Sequence, residues 1–186
     1  MLPRVYLPLL LISSAWGGSL TFSLQDARGI THTAAELGRG KATVLIFVAT
    51  ECPNSNTYAP ILARIYREYS PRGIAFFNVY SDPSESASTV RKHDADYEVP
   101  FAALLDPHQT LARETGARST PEVVILGPEG RQLYRGRVDN RFIEPGKARF
   151  QPTENDLDEA LGAILQGKPA PHPETRTIGC AIPGID

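Results

Sequence analysis

From Ala42 to Ala49 the chain reads ATVLIFVA, eight residues without a charge and rich in β-branched side chains. A run of that length and character predicts a strand buried on both faces, in the middle of a sheet. The spacing then changes. Between Asn54 and Tyr69 the apolar positions are Tyr58, Ile61, Leu62, Ile65, Tyr66 and Tyr69, with Arg64, Arg67 and Glu68 between them. That is helical periodicity, and Pro60 inside it is expected to bend the helix. Ile74 to Tyr80 (IAFFNVY) returns to a buried-strand pattern. Beyond it the pattern predicts a helix over Ser84 to Tyr97, a strand over Phe101 to Leu105 and a short helix over His108 to Thr115, stopped by Gly116.

Glu122 to Leu126 and Gln132 to Val138 flank the turn Gly127-Pro-Glu-Gly130 and predict an antiparallel hairpin. Thr153, with Asp156 three residues on, forms a near capping box, and Leu157, Leu161, Ile164 and Leu165 supply the buried stripe of a closing helix. Upstream, Leu20 to Leu24, the turn Asp26 to Gly29 and Ile30 to Thr33 predict a small N-terminal hairpin. The expected fold is therefore α/β: one mixed central sheet flanked by helices with a hairpin extension in front, close to a thioredoxin fold, which periodicity alone does not separate from other α/β sandwiches. Residues 18 to 167 form the domain. Residues 168 to 186, KPAPHPETRTIGCAIPGID, form a Pro-rich tail.

The two ends of the chain carry separate expectations. Met1 to Arg4 is a short basic start, Val5 to Ile12 is apolar, and Ser13 to Gly18 is small. This is the layout of a secretory signal over residues 1 to 17, and the apolar run is far shorter than the roughly 20 residues of a membrane-spanning helix. Export to the periplasm or medium is expected, with no membrane span after cleavage. The chain has 19 Lys and Arg against 21 Asp and Glu, a net charge of -2, and no basic cluster. Nothing in it offers an electrostatic footprint for nucleic acid.

Two cysteines are too few for a disulfide scaffold. Cys52 falls at the turn between the buried strand and the helix from Asn54. Unpaired backbone N–H groups and the positive end of the helix dipole meet there, favouring a thiolate. Glu51 opposes this, so a moderate depression of the thiol pKa is expected. Ser55 has two readings, a helix cap or a hydrogen-bond donor to Cys52 across one turn. The four histidines share no ligand spacing with each other or with Cys52, and His93-Asp94-Ala-Asp96 reads as an exposed helix end rather than a metal site. Cys180 lies in a tail that spans roughly 40 Å between residues 168 and 180 when extended, enough to reach across a small domain. It is the candidate resolving partner of Cys52. An intermolecular disulfide and a Cys180 packed against the sheet are the alternatives.

The stretch from Phe47 to Tyr69, with Cys52 and Pro60 eight residues apart, resembles the active-site strand and first long helix of thioredoxins. Ser119-Thr120-Pro121-Glu-Val-Val-Ile-Leu resembles the segment that holds their cis-proline, which implies a cis bond at Pro121 and a substrate-binding role for Thr120 and Pro121. Leu20 to Lys41, with Asp26, Gly29, Leu37 and Gly40-Lys41, is similar to the N-terminal hairpin of the redoxins, the alkyl hydroperoxide reductase and thiol-specific antioxidant (AhpC/TSA) family. The resemblance covers residues 20 to 166 and implies a thiol-dependent oxidoreductase with Cys52 as nucleophile.

Departures from those patterns narrow the chemistry. Ser55 stands where thioredoxins have their second cysteine, Glu51 where they have an aromatic residue, and Ile46 where they have a buried acid. Ala49 and Leu45 replace the Thr and Pro of the peroxiredoxin motif. A dithiol cycle within the turn is excluded, and the oxidant is left open between a protein disulfide and a hydroperoxide. No metal, nucleotide or flavin is implied. The other functional class consistent with these residues is a non-catalytic binding domain that holds a partner in the groove between Cys52 and Pro121.

Overall fold

A computed structural model describes residues 22 to 37 and 39 to 185. The proposed signal segment, residues 1 to 17, lies outside the described residues. The chain opens with β1 (Ser23–Gln25) and β2 (Thr31–Thr33), followed by one turn of helix, α1 (Ala34–Leu37). It continues through β3 (Ala42–Val48), α2 (Pro53–Tyr69), β4 (Ile74–Tyr80), α3 (Ala87–Asp96), β5 (Ala102–Leu105) and α4 (Thr110–Thr115). Then come β6 (Ser119–Thr120), β7 (Glu122–Leu126), β8 (Gln132–Gly136), β9 (Phe142–Glu144), β10 (Lys147–Ala148), α5 (Asp156–Leu165) and β11 (Cys180–Ala181).

The main sheet has the order β5-β4-β3-β7-β8. β3, β4 and β5 run parallel, and β7 and β8 run antiparallel to their neighbours. All seven residues of β3 are buried, as its unbroken apolar run requires of a central strand. Its alternate side chains feed two cores. Val44, Ile46 and Val48 pack with Tyr58, Leu62, Ile65 and Tyr69 of α2 and Leu157 and Leu161 of α5. Leu45 and Phe47 pack on the other face with Leu111 and Ala112 of α4, Val124 and Leu126 of β7, and Ile182 from the tail. This is the thioredoxin-type mixed sheet with helices on both faces that the sequence pattern predicts.

The N-terminal hairpin pairs Ser23 with Thr33 and Gln25 with Thr31. Its turn is closed by Asp26, whose carboxylate accepts from the Arg28 and Ile30 N–H groups at 2.9 Å each. The hairpin docks on the outer edge of the sheet through the Ala27 N–H and the Ala103 carbonyl oxygen, 2.8 Å apart.

Boundaries differ from the sequence expectation where local capping intervenes. The helix expected from Ser84 begins at Ala87, because Ser86 caps it and accepts from the Thr89 N–H. The closing helix begins at Asp156, not Thr153. Asn155 is its N-cap without a side-chain bond, and Thr153 is engaged instead by Asn140, which accepts from the Thr153 N–H and donates to its hydroxyl at 2.8 Å each. β8 stops at Gly136, whose φ is +153°. A Cβ there would lie 2.0 Å from the Thr175 hydroxyl oxygen, so only glycine lets the returning tail lie against this strand.

That return is the largest addition to the sequence picture. Thr175 and Arg135 exchange backbone contact along the free edge of β8, with the Thr175 N–H 3.0 Å from the Arg135 carbonyl oxygen and the Arg135 N–H 2.9 Å from that of Pro173. The chain then crosses to β6, where β11 pairs antiparallel with it. The residues after Gly167 are thus packed on the domain as an extra edge.

Candidate active site

Cys52 is the N-cap residue of α2, and Pro53 occupies the first helical position, where a missing N–H costs nothing. β3 ends at Val48, and the turn back into the helix is closed by the Cys52 N–H, 3.1 Å from the Ala49 carbonyl oxygen. A fully buried strand fixes one side of the turn and a helix with seven buried residues fixes the other. The sulfur therefore sits on rigid elements, at the end of the helix that favours negative charge.

Two other segments reach the same sulfur. The Thr120–Pro121 bond is cis. As a thiol, Cys52 donates to the Thr120 carbonyl oxygen at 3.1 Å. The register of β11 on β6 sets Cys180 directly opposite Thr120, and the Cys180 thiol lies 2.6 Å from the Cys52 sulfur. Residues 52, 55, 120, 121 and 180 are thus brought to one place from three separate stretches of chain. Cys180 therefore lies beside Cys52 on a strand paired to β6, with both thiols free.

The two thiols differ in acidity. Burial opposes ionisation of Cys52, which is 1 % exposed. Hydrogen bonds from Cys180, the Thr120 hydroxyl and the Ser55 N–H and hydroxyl outweigh it and bring its pKa down to about 7. Glu51 is exposed, and the groups that set this value are uncharged hydrogen-bond donors. Cys180 moves the other way, to about 11, through burial and its contact with the Cys52 sulfur. Ser55 does not cap the helix. Its buried hydroxyl has no oxygen or nitrogen partner, so the Cys52 sulfur is the one acceptor left to it among the described residues.

A polar network behind the turn is absent from the sequence reading. Glu85 accepts from the Thr50 N–H at 2.6 Å, and Asn56 donates to the Thr50 carbonyl oxygen at 3.2 Å. Asn56 also meets the His93 Nε2 at 2.8 Å, while the His93 Nδ1 meets the Tyr80 hydroxyl at 2.9 Å. His93 is therefore buried, not part of an exposed helix end. It lies one turn from Val90 on the inward face of α3, a spacing that was the available signal for its burial. This network clamps the backbone on both sides of Thr50, holding the turn that carries Cys52.

Comparison with known proteins identifies the family and the fold. The AhpC/TSA family model matches residues 19–133. The chain belongs to the AhpC/TSA family. It is 24% identical over 136 residues to the thiol-disulfide oxidoreductase ResA of Halalkalibacterium halodurans, covering 72% of this chain and 76% of that protein. A hypothetical protein of Sinorhizobium meliloti 1021 has the same fold, with a TM-score of 0.78 and 30% identity over 88% of this chain and 91% of its own. A secreted Mycobacterium tuberculosis disulfide oxidoreductase homologous to E. coli DsbE shares the fold at a TM-score of 0.55 and 18% identity, over 79% of this chain and 96% of its own. Family membership and the ResA likeness support a thiol-based redox function for this redoxin. Among the described residues, no helix is long and apolar enough to cross a membrane.

Proposed function

We infer that this redoxin is an exported thiol-disulfide oxidoreductase in which Cys52 is the nucleophile and Cys180 the resolving cysteine. The observation that carries the reading is the meeting of the two sulfurs at 2.6 Å, with one thiol shifted to about 7 and the other to about 11. At neutral pH the buried member of the pair is half ionised and the other is held as a proton-bearing donor. This asymmetry sets their order of action.

The Cys52 thiolate attacks one sulfur of a partner disulfide. A mixed disulfide forms, and the partner's other sulfur leaves as a thiolate. Cys180 then loses its proton to water and attacks the Cys52 sulfur, releasing the partner's remaining cysteine as a thiolate and closing Cys52–Cys180. The partner gains two electrons and the protein loses two. An external dithiol restores the reduced pair. Ser55 donates to the Cys52 thiolate, and the Thr120 carbonyl and Pro121 fix the wall beside it. A hydroperoxide is the second oxidant this pair can meet, by way of a sulfenic acid on Cys52 that Cys180 condenses with. The disulfide reading takes precedence because the donors to Cys52 are neutral and Ala49 and Leu45 replace the peroxiredoxin Thr and Pro.

The test is insulin reduction by the wild-type protein with dithiothreitol as electron donor, beside Cys52→Ser and Cys180→Ser. Cys52→Ser is expected to lose at least about a thousandfold in rate, ~4 kcal/mol in the barrier, since an alkoxide is not accessible at neutral pH. Cys180→Ser is expected to accumulate mixed disulfides on Cys52. Non-reducing peptide mapping of the air-oxidised wild type should return a Cys52–Cys180 peptide pair. Wild-type turnover by Cys52→Ser removes Cys52 from the mechanism, and two free thiols after oxidation remove Cys180.

A further inference from the structure

Cys52 is 1 % exposed, yet a nucleophile for protein disulfides must meet a sulfur on another chain. What lies over it is the C-terminal strand. Ile178 accepts through its carbonyl from the Asn54 side chain at 3.1 Å, Cys180 stands opposite Thr120, and the Ile182 N–H donates to the Arg118 carbonyl oxygen at 3.0 Å. Gln109 donates to the Pro183 carbonyl, and Arg113 to that of Gly184 at 3.2 Å. These contacts hold the strand largely by its backbone, so they suit any extended segment of compatible shape.

Two positions impose a shape. A Cβ on residue 179 would lie 2.0 Å from the Thr120 carbonyl oxygen and 2.8 Å from its carbon, so glycine is required immediately before the cysteine. Ile182 is 2 % exposed and inserts into the core beside Leu111, Ala117 and Val124. The occupant of this surface therefore reads Gly-Cys-x-apolar.

We propose that residues 177 to 184 are a built-in competitor for the redox partner: they occupy the partner's docking surface, and their own pattern, Gly179-Cys180-Ala181-Ile182, is the pattern the surface accepts. This inference rests on Cys52 being the nucleophile. A partner segment of that pattern displaces the strand, its disulfide meets the Cys52 thiolate, and a mixed disulfide forms as the partner's second sulfur leaves as a thiolate. The displaced strand then returns with Cys180, whose thiolate attacks the Cys52 sulfur and expels the partner cysteine. One strand is thus both the barrier to the wrong substrate and the agent of product release.

The experiment uses full-length Cys180→Ser protein, in which Cys52 is the only thiol, and follows its alkylation by iodoacetamide at pH 8. Adding Gly179→Val drives the strand off β6 and is expected to speed alkylation by about tenfold or more, the gain from opening a locally held segment. Ile182→Ser in the same background releases the strand by a different contact and should act in the same direction. A synthetic peptide of residues 175 to 184 carrying Ser for Cys180 should restore protection to the Gly179→Val protein. The same peptide with Val for Gly179 should not.

Equal alkylation rates in the three proteins, or equal protection by both peptides, overturn the proposal. The failure of the Cys52 mechanism is separately visible. It appears as absent Cys52-dependent insulin reduction by the wild type, whereas normal insulin reduction with unchanged alkylation sinks the strand alone.

Discussion

Cys52 and Cys180 share one site and are held there by opposite means. The strand and helix around Cys52 are apolar and interior: β3 is buried throughout, and α2 contributes Tyr58, Leu62 and Ile65 to the core. The tail around Cys180 has a single deeply inserted side chain near it, Ile182, and otherwise depends on hydrogen bonds from Asn54, Ser119, Gln109 and Arg113 at the rim of the domain. Apolar burial is worth more per residue than a solvent-exchanged hydrogen bond, so the first region is expected to move only with global unfolding and the second to open on its own. The proposed two-step exchange needs such a pair, a fixed Cys52 and a detachable Cys180, because in it the partner sits where Cys180 later returns.

The comparison breaks most visibly in stability. Phe47 is fully buried in β3 and packs with Leu111 and Val124, so Phe47→Ala removes core contacts that cannot be replaced by water. A loss of about 3–5 kcal/mol is expected by urea denaturation of the reduced protein. Thr177→Ala removes only the hydrogen bond to Ser119 and should cost about 1 kcal/mol or less. Comparable losses from the two would mean that the tail is as integral as the central strand.

How much of this was legible in the sequence follows the same division. β3, α2, β4 and the β7–β8 hairpin are readable because burial on one or both faces imposes a period on the residues themselves. Cys52 is readable for the same reason, since a strand period changing to a helix period marks the turn. The tail has no period: Thr177-Ile-Gly-Cys-Ala-Ile-Pro is held by backbone atoms and by partners more than 50 residues away, so composition showed a Pro-rich tail long enough to return but not the strand it joins. The polar network of Thr50, Asn56, Tyr80, Glu85 and His93 is hidden similarly. Each residue is an ordinary surface type until the fold brings them together.

A second effect sharpens the electrostatic side of the comparison. The Cys52 pKa is lowered from 9.0 to about 7, so the folded state favours the thiolate more than the unfolded chain does. The stabilisation is fully present above pH 9, and is lost as pH falls through 7. Reduced wild type should therefore gain about 2 kcal/mol relative to Cys52→Ala between pH 7 and pH 9. Cys180 carries the opposite sign and takes effect only above pH 9, where its raised pKa of about 11 begins to disfavour the fold. Urea denaturation of both proteins at half-unit pH steps measures the difference. A flat difference across that window would remove the thiolate from the ground state of the reduced enzyme.

The smallest effect lies at the joint between the two regions. Asn54 belongs to the first turn of α2 and donates to the Ile178 carbonyl oxygen, so it ties the rigid half of the site to the detachable half. Asn54→Ala leaves a half-exposed carbonyl that water can reach, and the net cost to the tail's seating is about 0.5–1 kcal/mol. That cost falls on the state in which Cys180 must sit against Cys52. Equilibration against glutathione should show the Cys52–Cys180 disulfide easier to reduce by roughly 10–20 mV. In the reduced Cys180→Ser protein the loss seen by urea denaturation should not exceed that same ~0.5–1 kcal/mol, because its core is untouched. A potential equal to wild type, alongside an intact Cys52–Cys180 pair, would mean that the tail is seated by Ile182 and the β6 ladder alone.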